Sequence, residues 1–348
     1  EGPGSLSSLP EILNGMEPDS KRILLLVWSE EVLKNPAFSF LLDQKSGFQT
    51  LPFSFQASNP TVEQLFETYE ATKEFAPAVV IAVGGGSIMD VGKSLCCLYG
   101  HSLSNVDALR ELIVTKAYGT PAARWIGIPT TAGTGSETTC WATIWDPSQD
   151  AKRSVECHEN YAWAAVVDSD LTKGMPLKLA VSSGLDAAAH GVESYWAKGT
   201  NCVSRAMALS AIRMIMENME GLLAGKETAR EAMARGSMMA GLAFSNTKTT
   251  ACHSISYPLT MHYSIPHGAA VSMLLAPLLK RNLPATKGSE ALLNALGVSD
   301  VDELTRKIRR ILKESGQPST LKEWGVKKED LPRLAALGMT KGRADNNP

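Results

Sequence analysis

Three things are scarce in this 348-residue chain, and each scarcity removes a class of function. The first is charge of one sign. Lys and Arg number 34 against 36 Asp and Glu, a formal net charge of −2, so no excess draws the chain to nucleic acid or to an anionic membrane. The second is a long apolar run. No stretch reaches the roughly 18 consecutive apolar residues of a membrane-spanning helix, and no charged-then-apolar leader opens the sequence. The third is patterned cysteine. Cys96, Cys97, Cys140, Cys157, Cys202 and Cys252 follow no regular spacing, and the first two are adjacent in an apolar stretch. Reduced thiols and a cytoplasmic location are expected from that pattern. Internal repeats and low-complexity tracts are missing as well. The opening EGPGSLSSLP is abrupt, so part of a natural N-terminus is expected to be absent.

What is present suits a globular protein. Apolar residues make up 44% and charged residues 20%. The length fits two domains and a sizeable core without disulfides. In the first half, short apolar runs alternate with helical patterns. Ile23–Val27, Ala78–Val83, Trp125–Ile128 and Ala164–Val167 read as buried parallel strands. Residues 60–73 read as a helix, with Ser58, Asn59 and Thr61 as capping residues and Pro60 in the first turn. A helix is expected from about Ile88 to Tyr99. After Pro176 the texture turns helical, over 183–196, 204–223, 227–246 and 301–315. Residues 288–300 read as a short connection with a helical turn or two. The expected architecture is an α/β domain over 1–178 and an all-α domain over 179–348.

Two loops follow strands in the first half. Gly84-Gly85-Gly86-Ser87 joins a strand to a helix, where backbone N–H groups and the helix N-terminus suit a pyrophosphate. A tight turn without a ligand is the alternative, because the pattern is not the G-x-G-x-x-G fingerprint. The second loop, Pro129 to Glu137, is rich in Thr and Gly. It either lines a nucleotide or is plain surface.

Of the six histidines, His190 stands four residues after Asp186 in an expected helix, so the two share a face. His253 and His267 flank Pro258, a break expected to end a helix and let the chain return. Asp186, His190, His253 and His267 together would hold iron(II) or zinc rather than magnesium or calcium. An ordinary Asp–His surface pair with unrelated histidines is the alternative. His101 and His158 read as surface or packing residues.

Taken together these segments resemble the iron-containing alcohol dehydrogenase family, in one order along nearly the whole chain. The resemblance rests on Ser58-Asn59-Pro60-Thr61, the Gly84–Ser87 loop with Asp90 and Lys93, the run from Pro129 to Glu137, and Asp168-Ser169-Asp170-Leu171. It rests further on Gly184 to His190, on His253, and on Pro266-His267-Gly268. It implies a Rossmann-like N-terminal domain, a helical C-terminal domain, NAD(H) or NADP(H), and Fe2+ or alternatively Zn2+. The metal would act as a Lewis acid on the substrate oxygen and the nicotinamide would donate hydride. Implied cofactor contacts are Gly84, Gly85, Gly86, Ser87, Asp90, Thr130, Thr131, Thr134, Ser136 and Lys152, with Asp90 supporting the glycine loop. The implied metal ligands are Asp186, His190, His253 and His267. A small aldehyde or alcohol is the implied partner, and homodimers or larger assemblies are common in the family.

Two positions depart from it. Tyr257 stands where many members carry a further histidine, and is expected to donate a hydrogen bond or relay the proton. After the first strand, Ser29 stands near a usual acidic residue, so NADPH is as plausible as NADH; Glu30 would oppose it in a shifted register. The run from Thr247 to Pro258 looks like the phosphonoacetaldehyde reductase branch. That implies reduction of phosphonoacetaldehyde to 2-hydroxyethylphosphonate, with Lys248 toward the phosphonate; a solvated Lys248 and a different small aldehyde or semialdehyde are the alternatives. The segment from Met339 to Pro348 resembles the family's closing stretch, with a final helix expected to be absent. A dehydroquinate synthase-like lyase shares the glycine loop, NAD and a metal. The Pro129–Glu137 run and the one-carboxylate, three-histidine set argue against it. Retention of the four ligands argues against a non-catalytic relative, and Asp186 with His190 argues against the metal-free maleylacetate reductase-like enzymes.

Overall fold

The computed structural model describes residues 1–339 and 342–348, so Thr340 and Lys341 of the closing stretch lie outside the described residues. The chain forms two units, one of Glu1–Thr130 with Ser136–Leu171 and one of Thr131–Gly135 with Thr172–Pro348. The change from one to the other falls between Leu171 and Thr172, where the sequence texture suggested residue 178. The short segment Thr131–Gly135 belongs with the second unit although the sequence around it belongs with the first.

The first unit runs α1 (Leu9–Met16), β1 (Arg22–Val27), α2 (Ser39–Leu42), β2 (Gln49–Ser54), α3 (Val62–Thr72), β3 (Val79–Gly84), α4 (Gly86–Leu98), α5 (Val106–Thr115), β4 (Arg124–Pro129), β5 (Trp141–Asp146), β6 (Ala151–Glu156) and β7 (Ala164–Ala165). Among the described residues, β2-β1-β3-β4-β7 make one wholly parallel sheet. Side chains of a strand point alternately to its two faces. Accordingly Leu24 and Leu26 enter one core cluster, while Ile23, Leu25 and Val27 enter another. Val80 and Ala82 divide from Val79, Ile81 and Val83 in the same way. Both faces are covered, which is why these strands read as unbroken apolar runs.

Several expectations needed correction. Thr61 caps α3 as expected, but Pro60 lies before the helix: the Thr61 hydroxyl accepts from Gln64 N at 3.2 Å while the Gln64 side chain accepts from Thr61 N at 3.0 Å. This reciprocal cap fixes the helix start and leaves Pro60 outside it. β2 was not legible, because an edge strand tolerates the polar residues and the Pro52 that it carries. The antiparallel β5–β6 hairpin was also missed. The strand expected over 164–167 is paired only at Ala164–Ala165.

Lys93 of α4 is fully buried. Its ammonium donates to Ser136 O (2.9 Å), Thr139 Oγ1 (3.0 Å) and Trp141 O (2.7 Å) and lies 3.4 Å from Asp90 Oδ1. Residues 136–141 leave the parallel sheet, so their carbonyls need donors from elsewhere. Asp90 completes the tie, accepting from Ser136 Oγ at 2.8 Å and Thr143 N at 2.9 Å. Burial pushes the Lys93 pKa down, and Asp90 works against that shift. At the other end of the sheet, Asp168 accepts from Gly4 N and Leu6 N and so fastens the start of the chain.

The second unit runs α6 (Leu177–Trp196), α7 (Cys202–Leu223), α8 (Glu227–Thr247), α9 (Ala251–Tyr263), α10 (His267–Asn282), α11 (Ser289–Leu296), α12 (Val301–Glu314) and α13 (Leu331–Gly338). α6 is central, packed by α7, α8 and α10. Its Ala, Ser and Gly residues let neighbours approach, and nearly every residue from Ala180 onward is buried. Pro258 does not end a helix as expected: α9 continues through it to Tyr263. An internal proline costs about 3 kcal/mol, and the buried Tyr257 and Leu259 beside it supply compensating packing. The reversal comes at Ser264, with φ 54°, followed by Pro266 as the cap of α10. Among the described residues, no helix is long and apolar enough to cross a membrane, and all six cysteines are free thiols.

Lys93→Met removes the charged partner of Asp90 and the donor to the carbonyls of Ser136 and Trp141. The cost expected is about 3–5 kcal/mol. Urea unfolding followed by circular dichroism should show a lower midpoint; a wild-type midpoint would mean that the 136–141 segment is held without this lysine.

Candidate active site

One turn of α6 separates Asp186 from His190, and Glu193 follows within the next, so helical periodicity brings all three to one face. The reversal after Tyr263 lays the start of α10 against α6. Gly268 makes this approach possible: a Cβ there would stand 2.0 Å from Ser182 O and 3.1 Å from the Asp186 Cβ. His267, one residue earlier, thereby puts its Nε2 3.8 Å from Asp186 Oδ1, and His253 Nε2 lies 3.3 Å from the same oxygen. Asp186, His253 and His267 each offer a ligand atom within 4.8 Å of the others. His190 stands alongside this trio, its Nδ1 3.9 Å from Asp186 Oδ2 and its ring stacked between Phe244 and His253 at 4.2 Å from each.

Buried polar atoms are nearly always hydrogen-bonded. Asp186 Oδ1, His190 Nδ1 and His253 Nε2 are buried without a hydrogen-bond partner. Asp186 Oδ1 and His253 Nε2 face each other, and His267 Nε2 stands beside them, a carboxylate and two imidazoles of the kind that hold a divalent transition metal. The residues therefore fit iron or zinc. Electrostatics agree. Burial opposes ionisation of Asp186, but His190, His267 and His253 outweigh it and hold its carboxyl below the usual carboxylate range. Burial, with His253 beside it, pushes His190 down to about 3, so its imidazole is neutral and keeps a lone pair.

Glu193 is the residue that sequence reasoning missed. It is fully buried. It accepts from Thr250 N (3.1 Å), Thr250 Oγ1 (2.8 Å) and Cys252 N (2.6 Å), and it pairs with His253 Nδ1. One carboxylate thus occupies the N-terminus of α9, where N–H groups lack helical partners, and also sets the tautomer that turns His253 Nε2 toward Asp186. Burial raises the cost of both charges in this pair; each partner offsets it, lowering the Glu193 pKa and raising that of His253. The available signal was its spacing, three residues past His190 on the same helix face.

The other expected residues fall as follows. Tyr257 is buried, with its ring parallel to His267 within 4° at a centroid distance of 5.7 Å. Lys248 is exposed, at the end of α8. In the first unit, Gly84 closes β3, Gly85 caps α4 and Gly86 opens it. None of the three has a positive φ. Close approach is the reason at Gly84, where a Cβ would meet Ile88 Cγ1 at 2.4 Å. Ser87 Oγ accepts from Asn59 N at 3.1 Å, Thr130 N donates to Gly84 O at 3.0 Å, and Asp90 and Ser136 bond each other. Lys152 lies in β6 opposite Trp145. Thr131 and Thr134 belong to the second unit. There Gly133 and Gly135 hold their segment close to Ser183 and Gly241, where a Cβ would stand 2.7 and 2.6 Å away.

Two substitutions probe this geometry. Glu193→Gln should weaken iron or zinc binding by about 10–100-fold in equilibrium dialysis, the usual loss when a partner behind a ligand is changed. Wild-type affinity would show that His253 is oriented by other groups. Gly268→Ala should also weaken metal binding, because α10 must move off Ser182; metal titration at a pH where both proteins are folded tests it.

Comparison with known proteins agrees with the fold. Residues 1–169 match the model of the iron-containing alcohol dehydrogenases, and residues 180–348 match that of the Fe-containing alcohol dehydrogenase family, C-terminal. The chain is 31% identical to the NADPH-dependent butanol dehydrogenase of Clostridium saccharobutylicum, over 80% of this chain and 74% of that protein. It is 31% identical to the NAD-dependent methanol dehydrogenase of Bacillus methanolicus, over 92% and 84%. Among solved structures, sulfoacetaldehyde reductase from Bifidobacterium kashiwanohense, in complex with NAD+, superposes with a TM-score of 0.86 at 26% identity, covering 100% of this chain and 91% of that one. The matches run along nearly the whole length, and the chain belongs to the iron-containing alcohol dehydrogenase family, NAD(P)-linked oxidoreductases.

Proposed function

We propose that this enzyme reduces a small aldehyde bearing an acidic group, phosphonoacetaldehyde, to the alcohol 2-hydroxyethylphosphonate. NAD(P)H supplies the hydride to the carbonyl carbon, and one proton goes to the oxygen. The observation that carries the reading is the backbone at Lys248. This residue has φ 60° and ψ 173°, a conformation almost confined to glycine. Strain of this kind persists only where the surroundings enforce it. Here Thr247 and Thr249 are buried on either side, and Asn346 donates to both of their carbonyls, at 2.8 and 3.2 Å. Lys248 is exposed, five positions before His253, at the junction of α8 and α9. A cation so placed complements the anionic end of a short substrate. Sulfoacetaldehyde, which the similar Bifidobacterium enzyme is named for reducing, is likewise a two-carbon aldehyde with an acidic group.

In this reading Asp186, His190, His253 and His267 hold the metal. When bound, it supplies Lewis acidity at the carbonyl oxygen. Glu193 keeps His253 turned to the site. Tyr257, flat against His267, provides a proton to the product oxygen directly or through water. Gly84, Gly85, Gly86 and Ser87, at the N-terminus of α4, take the cofactor's pyrophosphate. Thr130, Thr131, Thr134 and Lys152 contact the rest of the cofactor, with Asp90 and Ser136 bracing the loop.

Protein loaded with iron(II) or zinc and given NADH or NADPH should oxidise the cofactor with phosphonoacetaldehyde about tenfold or more faster, in kcat/KM, than with butyraldehyde or lactaldehyde. His267→Ala should abolish that activity. Turnover confined to neutral aldehydes would discard the phosphonate while keeping the reductase.

A further inference from the structure

We propose that Phe244 positions His190 for the metal, doing with an aromatic stack what hydrogen bonds do for the histidines beside it. The inference rests on the reading above that His190 is one of the ligands.

The three histidines of the cluster are held in unlike ways. Glu193 pairs with His253 Nδ1, and the Ser256 hydroxyl lies 3.4 Å from His267 Nδ1. His190 has no such support. Its Nδ1 is buried without a hydrogen-bond partner, and Asp186 Oδ2, at 3.9 Å, is beyond hydrogen-bond reach. Among the described residues, no protein group hydrogen-bonds to the His190 ring. A ligating imidazole ordinarily gives its second N–H to an acceptor, which fixes the ring's orientation. For His190 two rings take that part. Phe244 stacks on it 13° from parallel and His253 25° from parallel, with centroids 4.2 Å away in both cases.

The stack is itself backed. Phe244 is buried on α8, which packs against α6. Gly135 lies against it, with a φ of 57° in the left-handed region. A Cβ on Gly135 would stand 3.3 Å from Phe244 Cε1 and 2.6 Å from Gly241 Cα, so this segment closes directly onto α8. Gly133 brings the same segment against Ser183 of α6. Gly135, Phe244, His190, His253 and Glu193 therefore follow one another in a single column through α8, α6 and α9. Stacked rings hold the plane of the imidazole and leave its nitrogens unengaged. A ring-free apolar side chain would fill the space without favouring that plane. Phe244 is thus a positioning residue that acts through His190.

Cobalt(II) is the probe, because its visible absorption reports ligand geometry as well as occupancy. Wild type, Phe244→Leu, Phe244→Tyr, His190→Ala and the double variant Phe244→Leu/His190→Ala are titrated with it, with Phe244→Met as a second ring-free variant. Circular dichroism confirms that each is folded. Phe244→Leu and Phe244→Met should bind cobalt(II) about 2–10-fold more weakly, the size of a lost aromatic pair. Their spectra should move toward that of His190→Ala. Phe244→Tyr, which keeps the ring, should recover both affinity and spectrum. In the His190→Ala background, Phe244→Leu should cost nothing further, since the residue it acts through is gone. Wild-type affinity and spectrum in the ring-free variants overturn the inference. An equal loss in both backgrounds also overturns it, and makes Phe244 a packing residue only. If His190→Ala binds cobalt(II) as tightly as wild type and with the same spectrum, the reading of His190 as a ligand falls, and the inference with it.

Discussion

A full negative charge with no exposure to water sits at Glu193, and the arrangement of the helical unit depends on how that charge is met. Taking a carboxylate out of water costs several kcal/mol even after relaxation. The donors that offset it all come from the first residues of α9 and from His253. α9 therefore begins where it does because its first N–H groups find their acceptor there. Once that start is set, His253 faces Asp186, and Tyr257, one turn further on, meets His267. The reversal at Ser264 then returns α10 to α6. A single carboxylate thus coordinates elements far apart in the chain.

The cluster it supports is costly in the opposite way. Orphaned polar atoms in a core are destabilising, and a chain selected for stability alone would pair them or replace them with apolar groups. Here a carboxylate oxygen and two imidazole nitrogens are left without hydrogen-bond partners. α6 makes room for them by being built of small residues, and Gly268 lets α10 close to a distance that no side chain would allow. Packing density and metal-ligand chemistry thus come from the same residues.

The α/β unit solves a different problem. Its apolar runs build the parallel sheet without assistance, but the chain that leaves the sheet after β4 has no ladder to satisfy its carbonyls. Lys93 and Asp90, one helical turn apart on α4, provide donors and acceptors for that stretch. A buried cation is thus used for architecture in this unit.

Sequence alone determined what depends on local pattern. Unbroken apolar runs announced β1, β3 and β4 because a strand covered on both faces has no polar side. The change to helical periodicity announced the second unit, and the i, i+4 spacing of Asp186 and His190 announced a shared face. Tertiary structure decided whatever required distant groups to meet. Pro258 stayed inside a helix because buried neighbours outweighed its missing N–H. Pro60 fell outside one because Thr61 and Gln64 capped each other. The edge strand β2 and the β5–β6 hairpin are held by partners that no local period reveals. Glu193 has helix spacing but needed α9 to make it an acceptor, and Arg343 meets Tyr257 across 86 positions of chain, a separation over which periodicity carries no information.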